Sequence, residues 1–274
     1  MKGSAGIGII AGCALIALGA TMEGSNIMAL MNIPAILIVL GGTFGAVMGG
    51  ADFKDIKNIP AAYKKAFTAE PEDFRGRMQE VVGHAERARR DGLLALDEQL
   101  AEVDDEYTRK GLQLVVDGTD PALVAEVLDL ENDNMRKRHA AATQPFEKAG
   151  GYAPTMGIIG TVFGLVHVLE NLSQPETLGP SISAAFIATL LGVASANVVY
   201  LPMVARLKGL SQQELLLREM TLEGILGIQA GENPRVIAEK LQTFVPPNAR
   251  GAADEAPATA GGGKAPPEPA AVAA

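Results

Sequence analysis

The first residues with chemistry to offer are hydroxyls and an amide set in otherwise apolar sequence. Thr155, Thr161, Ser181, Ser183, Thr189, Ser195 and Asn197 all lie in stretches without Asp, Glu, Lys or Arg. A hydroxyl inside a helix most often bonds back to the carbonyl four residues earlier. Where it does not, its oxygen can line a wet path or ligate a cation. His167 and Glu170 stand near the end of one such stretch, where headgroups and water reach them; His167 reads as an interfacial residue, with a proton relay as the sharper alternative. A second concentration of chemistry is the charged run Glu86, Arg87, Arg89, Arg90 and Asp91, followed by Asp97 and Glu98. Pairs such as Glu86/Arg90 contribute only a few tenths of a kcal/mol on a solvated helix. As a docking face for a charged partner protein, the same run would supply orientation and rapid encounter.

Catalytic chemistry has little to stand on. No nucleophile–base pair presents itself, and no Gly-rich loop precedes a Lys-Ser/Thr pair. One cysteine, Cys13, and three histidines exclude a disulfide framework and disfavour a metal cluster. The expectation is a non-enzyme with no catalytic residues, no bound metal and no bound cofactor. A net charge of −9 makes nucleic acid a poor partner. Tryptophan is absent and aromatics are 4%, which disfavours binding by stacking.

The elements that must position these groups follow from where charge is missing. Gly3–Met22, Gly24–Ala51, Ala149–Leu169 and Thr177–Ala205 carry no Asp, Glu, Lys or Arg. Each reaches the ~20 residues an α-helix needs to cross ~30 Å of hydrocarbon. The expected fold is therefore an all-α membrane protein with four transmembrane helices in two hairpins. Residues 1–51 form the first hairpin (spans about 3–22 and 33–51), and residues 149–206 the second (spans about 151–171 and 181–205). A helical cytoplasmic domain, 52–148, is inserted between spans 2 and 3. C-terminal cytoplasmic helices occupy 207–247, and an Ala/Pro/Gly-rich tail, 248–274, reads as disordered. Of the 23 basic residues, Lys2 precedes the first window, fifteen lie in Asp52–Lys148 and seven from Arg206 onward. The short spacers carry only Glu23, Glu170 and Glu176. The charged block and both termini are thus expected in the cytoplasm, in a multi-pass inner-membrane protein. A cleaved signal peptide is the rival reading of the N-terminus, with Ile10-Ala11-Gly12-Cys13 resembling a lipoprotein box. The apolar stretch before Cys13 is very short for that.

Small residues four apart, at Gly8/Gly12, Gly41/Gly45/Gly49 and Gly160/Gly164, predict close helix packing in lipid. Pro154 and Pro202 each remove a helix donor near a cytoplasmic helix end, and such a pair suits a hinge. No acidic residue sits at mid-depth, where an ion carrier normally keeps one; either no ion moves, or a partner supplies the carboxylate. In the charged block, Leu93, Leu96, Leu100, Val103 and Tyr107 are spaced for one apolar helical stripe. Asp120-Pro121 predicts a helix start, with Pro145 and Gly150-Gly151 as points of bending or interruption. Leu207–Gly227 is expected to continue the fourth span, and Glu232-Asn233-Pro234 to start a helix with Val236, Ile237 and Leu241 on one face.

Three stretches together resemble the flagellar stator A subunit, the MotA/PomA family. Arg89-Arg90-Asp91-Gly92-Leu93-Leu94-Ala95-Leu96-Asp97-Glu98 resembles its cytoplasmic charged motif. Ala153-Pro154-Thr155-Met156-Gly157-Ile158-Ile159-Gly160-Thr161-Val162-Phe163-Gly164-Leu165 resembles its third-span signature, and Gly231-Glu232-Asn233-Pro234-Arg235 its C-terminal helix start. The resemblance covers roughly Met1 to Pro247. It implies a ring of A subunits, a pentamer, around two single-span B subunits (MotB/PomB type) that carry the ion-binding intramembrane aspartate. It further implies that ion passage turns the ring against the rotor's switch-complex protein (FliG type). On matching positions, Arg89, Arg90, Asp97 and Glu98 would face the rotor, Pro154 and Pro202 would couple ion binding to movement, and Thr161 and Thr189 would line the ion path. Asp97 stands where the family often has Glu; the shorter reach leaves Glu98 to share that role. The transported cation is Na+ or H+, and Thr161, where many proton-driven relatives have Ala, leans toward sodium. The competing readings are a TolQ/ExbB-type subunit energising the outer membrane and a non-conducting membrane scaffold.

Overall fold

The computed structural model describes residues 4–24, 28, 31–51 and 53–246. The expected tail, 248–274, lies outside them, as does half of the first short spacer. The described residues are helical throughout, without strands. In chain order they form α1 (Ser4–Met22), α2 (Ile33–Gly49), α3 (Phe53–Thr68), α4 (Phe74–Asp91), a 3-10 segment (Leu93–Glu102), α5 (Glu106–Val116), α6 (Pro121–Glu170), α7 (Pro175–Gln229) and α8 (Pro234–Gln242).

Local chemistry sets the starts. The Asp73 carboxylate accepts from the Gly76 amide at 2.9 Å, that of Asp105 from Thr108 at 2.8 Å and that of Asp120 from Ala122 at 2.9 Å. Each satisfies an amide that the first helical turn leaves unpaired. The expected Asp120-Pro121 start is thus observed, and Asn233, accepting from the Arg235 amide at 3.1 Å, caps α8. Glycine sets one of the reversals: Gly92, at φ +88° and ψ 163°, turns the chain between α4 and the 3-10 segment in a conformation open essentially to glycine alone.

Two helices, α6 and α7, are long and apolar enough to cross a membrane, while α1 and α2 contribute shorter apolar helices, Gly6–Met22 and Ile33–Gly49. Large apolar side chains cover their outer faces: Ile10, Leu37 and Phe163 are 71%, 66% and 63% exposed. Faces of that kind need lipid or a neighbouring subunit against them. Helix α6 does not stop at Pro145, Gly150-Gly151 or Pro154; it runs unbroken for 50 residues. Tertiary packing overrides the local breakers: Phe146 and Ala149 are buried, and Leu201 lies against Gly150. The boundary drawn at 148 therefore falls inside one helix. Helix α7 continues past Leu207 to Gln229, as expected.

The charged half of the chain has its own core, built from α4, α5, α7, α8, the lower part of α6 and the 3-10 segment, with Leu96, Tyr107, Leu128, Met220, Ile225 and Leu241 fully enclosed. The stripe from Leu93 to Tyr107 does bury its side chains, but not as one helix. Asp105 caps a new helix, and Val103 is buried in extended backbone between the two elements. In α8, Ile237 and Leu241 are buried whereas Val236 is 44% exposed, so the expected three-residue face narrows to two. A buried bond from the Asn132 amide to the Tyr107 hydroxyl (2.9 Å) and the Arg218 guanidinium 4.8 Å above the Tyr107 ring tie α5, α6 and α7 together. Burial holds the Tyr107 hydroxyl well above its usual pKa. Where the two halves meet, Tyr63 of α3 packs edge-on against Phe146 of α6, with ring centroids 5.0 Å apart, over Met203 and Leu207.

Candidate ion path and charged face

Helices α6 and α7 approach closely because small residues face each other. A Cβ on Gly157 would lie 2.9 Å from the Ala188 carbonyl oxygen, and one on Gly160 or Gly164 would lie 2.6 Å from the Cβ of Ala188 or Ala185. The expected Gly160/Gly164 contact is therefore observed, and Gly157 and Gly192 extend it. The other glycine series behaves differently. Positions 8, 41, 45 and 49 face open space, with nothing of this chain within 4 Å of an added Cβ, and Gly12 alone of that group touches a neighbour, Val198. Helix α2 packs instead through Ala35, Val39, Thr43 and Val47 on its other face.

That seam brings Thr161 and Thr189 together. The Thr161 hydroxyl lies 3.0 Å from the Gly157 carbonyl of its own helix, 3.1 Å from the Ala185 carbonyl of α7, and is hydrogen-bonded to the Thr189 hydroxyl. Four oxygens thus gather at a partly buried point, with the two hydroxyl protons shared among them. Three other polar side chains bond back within their own helix: Thr155 donates to Tyr152 O, Ser195 to Gly192 O and the Asn197 amide to Val193 O. Beside the seam, a cavity of about 260 Å3 between α2, α6 and α7 is lined by Gly160, Gly164, Ala185 and Ala188 together with Asn32, His167 and Ser181, but not by Thr161 or Thr189. His167 is exposed there, with Asn171 donating to its backbone carbonyl at 2.8 Å. The Ala185 carbonyl was invisible in sequence, because any residue supplies a backbone oxygen; the 157–160–164 glycine spacing was the available signal.

The two prolines sit in different settings. Pro154 lies inside α6 without a change of helix type. Pro202 follows a wide turn, Ser195–Tyr200, in which the Leu201 amide reaches five residues back to the Ala196 carbonyl. A π turn of this sort absorbs the register that a proline disturbs. A second π turn, Leu37–Gly41, occurs in α2. Gly150, one turn before Pro154, packs on Leu201, the residue before Pro202, so the two positions share the α6–α7 contact.

The charged run lies far along the chain, around the Gly92 reversal. Arg89 and Arg90 end α4, Asp97 and Glu98 belong to the 3-10 segment, and all four are exposed. Arg90 pairs with its neighbour Asp91 at 3.2 Å, the partner observed in place of the i, i+4 pairing with Glu86. Arg87, half-buried, reaches Glu98 at 3.5 Å, and the His84 ring nitrogen Nδ1 lies 3.2 Å from the Gln99 side-chain oxygen. These two contacts fasten the 3-10 segment to α4, and sequence reasoning had assigned Arg87 no such role.

Residues 99–220 match the sequence model of the family described as the MotA/TolQ/ExbB proton channel family. Motility protein A of Bacillus subtilis (strain 168) is 37% identical over 244 residues, covering 88% of this chain and 89% of the relative. The flagellar MotAB stator complex from the same species superposes with a TM-score of 0.83 at 36% identity, covering 89% of this chain and 96% of the other. The C. jejuni MotAB structure superposes with a TM-score of 0.86 at 27% identity, covering 90% and 97%.

Proposed function

The chain belongs to the MotA/TolQ/ExbB proton channel family, and from that membership we propose that it is the A subunit of a flagellar stator that turns cation flow into rotation. Four helices span the inner membrane, about 3–22, 33–51, 151–171 and 181–205, with both termini and residues 52–148 and 207–247 in the cytoplasm. Several copies, five in the full ring, surround single-span B subunits that bring the intramembrane aspartate this chain lacks.

The observation that carries the reading is the oxygen cluster at Thr161 and Thr189, set on a seam free of acidic side chains. It supplies ligands but no titrating group, which is the half of an ion site that a partner carboxylate would complete. Oxygen ligands suit a sodium ion shedding its water, so sodium is the favoured cation over a proton. One elementary charge crossing 100 mV releases about 2.3 kcal/mol. That biases a rearrangement at the shared contact of Pro154 and Pro202 without unfolding a helix. Arg89, Arg90, Asp97 and Glu98 then deliver the movement to the rotor's switch-complex protein.

The test is twofold. The chain, expressed with its cognate B subunit in a strain deleted for its own stator, restores swimming and copurifies with a single-span protein bearing an intramembrane aspartate. Copurification without ion flux or motility would leave the scaffold reading in its place.

A further inference from the structure

The charged face contains an apolar side chain that its electrostatic role does not use. Leu94 is 76% exposed, against 49% for Leu123 and 55% for Leu130 in the same half of the chain. Unlike the exposed apolar residues of α1, α2, α6 and α7, it lies among charges, so lipid is not what covers it. Its exposure is enforced by its neighbours. Leu96 and Leu100 are buried at 0% and 6% and fix which side of the 3-10 segment faces the core. The Gly92 reversal and the contacts His84–Gln99 and Arg87–Glu98 hold the segment against α4. Leu94, Asp97 and Glu98 are all exposed on this one segment, with Asp97 and Glu98 three and four positions beyond Leu94.

We infer that Leu94 is an apolar anchor of the rotor-facing surface, and that its partner is a protein face with an apolar notch flanked by an acidic group toward Arg89 and Arg90 and a basic group toward Asp97 and Glu98. This inference rests on the rotor-facing reading above and adds to it the contact that holds. Exposed charges at a rim steer and orient, whereas an apolar side chain leaving water contributes affinity that salt does not screen.

The experiment uses the full stator in motile cells. A benzophenone side chain introduced at position 94 should cross-link to the rotor's switch-complex protein, while the same group at position 130 does not; an adduct with a second copy of this chain, or none, overturns the anchor. In parallel, Leu94→Ala should weaken stator engagement about tenfold, read as fewer torque-generating units per motor. Leu94→Met should restore it, with membrane level and ion flux unchanged in both. Full engagement in Leu94→Ala, or loss of the protein from the membrane, overturns the proposal. Charge reversal at Arg90 and Asp97 separates the two claims. If reversal stops rotation and Leu94→Ala does not, the anchor alone fails; if neither matters, the rotor-facing reading fails with it.

Discussion

The hydroxyl of Thr161 on α6 is hydrogen-bonded to that of Thr189 on α7 and lies 3.1 Å from the Ala185 carbonyl of α7. The contact forms because glycines and alanines let the two backbones approach. Its position makes each hydroxyl available to a third group. Removing one ligand oxygen from such a site costs on the order of 1.5 kcal/mol, about tenfold in affinity. Thr161→Ala should therefore raise the sodium concentration for half-maximal rotation about tenfold at fixed membrane potential, and Thr189→Ser should leave it near the original value. Rotation that never responds to sodium in the unmodified protein would remove sodium as the coupling ion.

The seam itself predicts an asymmetry among glycines. A Cβ at Gly157 would meet the Ala188 carbonyl at 2.9 Å, while one at Gly45 meets nothing of this chain. Overpacking a close contact costs about 1–3 kcal/mol. Gly157→Ala should lower the thermal midpoint of the purified A subunit, and Gly45→Ala should not. Equal midpoints for the two variants would show that the α6–α7 contact yields freely.

Gly92 holds φ +88° and ψ 163° at the turn that presents the charged face. A side chain there costs about 1–3 kcal/mol of backbone strain. Gly92→Ala should leave the protein in the membrane and ion flux intact while cutting swimming speed at least twofold, because Asp97 and Glu98 lose their fixed placement. Unchanged speed in a variant of normal abundance would deny the turn that role.

His139 lies between α3, α6 and α7, with Nδ1 2.9 Å from the Ser211 hydroxyl and Nε2 3.9 Å from Glu214. Burial lowers its pKa; Glu214 opposes that, and Lys65, Arg138 and Arg218 reinforce it. The unfolded chain then binds the proton more readily, so stability rises with pH across the window ending near the ordinary imidazole value of about 6.5. Acidification below that value should destabilise the junction of α3, α6 and α7, and His139→Gln should flatten this part of the profile. Thermal melts of the purified subunit between pH 5 and 8 measure it; a parallel slope in both proteins would assign the pH dependence elsewhere. Glu72, raised chiefly by burial, acts with opposite sign, its contribution being lost as pH rises above the ordinary carboxylate range.

Much of the helical layout was legible because it depends on local rules. Asp120-Pro121 and Asn233-Pro234 are caps that any helix start would use, and the charge-free windows coincide with α1, α2, the upper part of α6 and most of α7. The exceptions arose where tertiary packing decided. Leu93 to Tyr107 has helical spacing, yet the Asp105 cap divides it, and the buried side chains reach one core from two elements. Pro145 and Gly150 look like breakers, yet Phe146 and Leu201 pack around them within one helix. At the candidate site, Thr161 and Thr189 were readable as residue types. Their meeting depended on a glycine seam, and the Ala185 carbonyl that Thr161 reaches has no side-chain signature.

The unbroken course of α6 has a mechanical consequence. Fifty residues at 1.5 Å each make a rod of roughly 75 Å. From Thr161 down to Val124, buried in the core of the charged half, the span is roughly 55 Å. Tilting such a shaft by about five degrees at its upper end sweeps the lower end through roughly 5 Å, close to one helical pitch. A small tilt at the α6–α7 seam would thereby reach the far end of the helix as a displacement the size of a side chain.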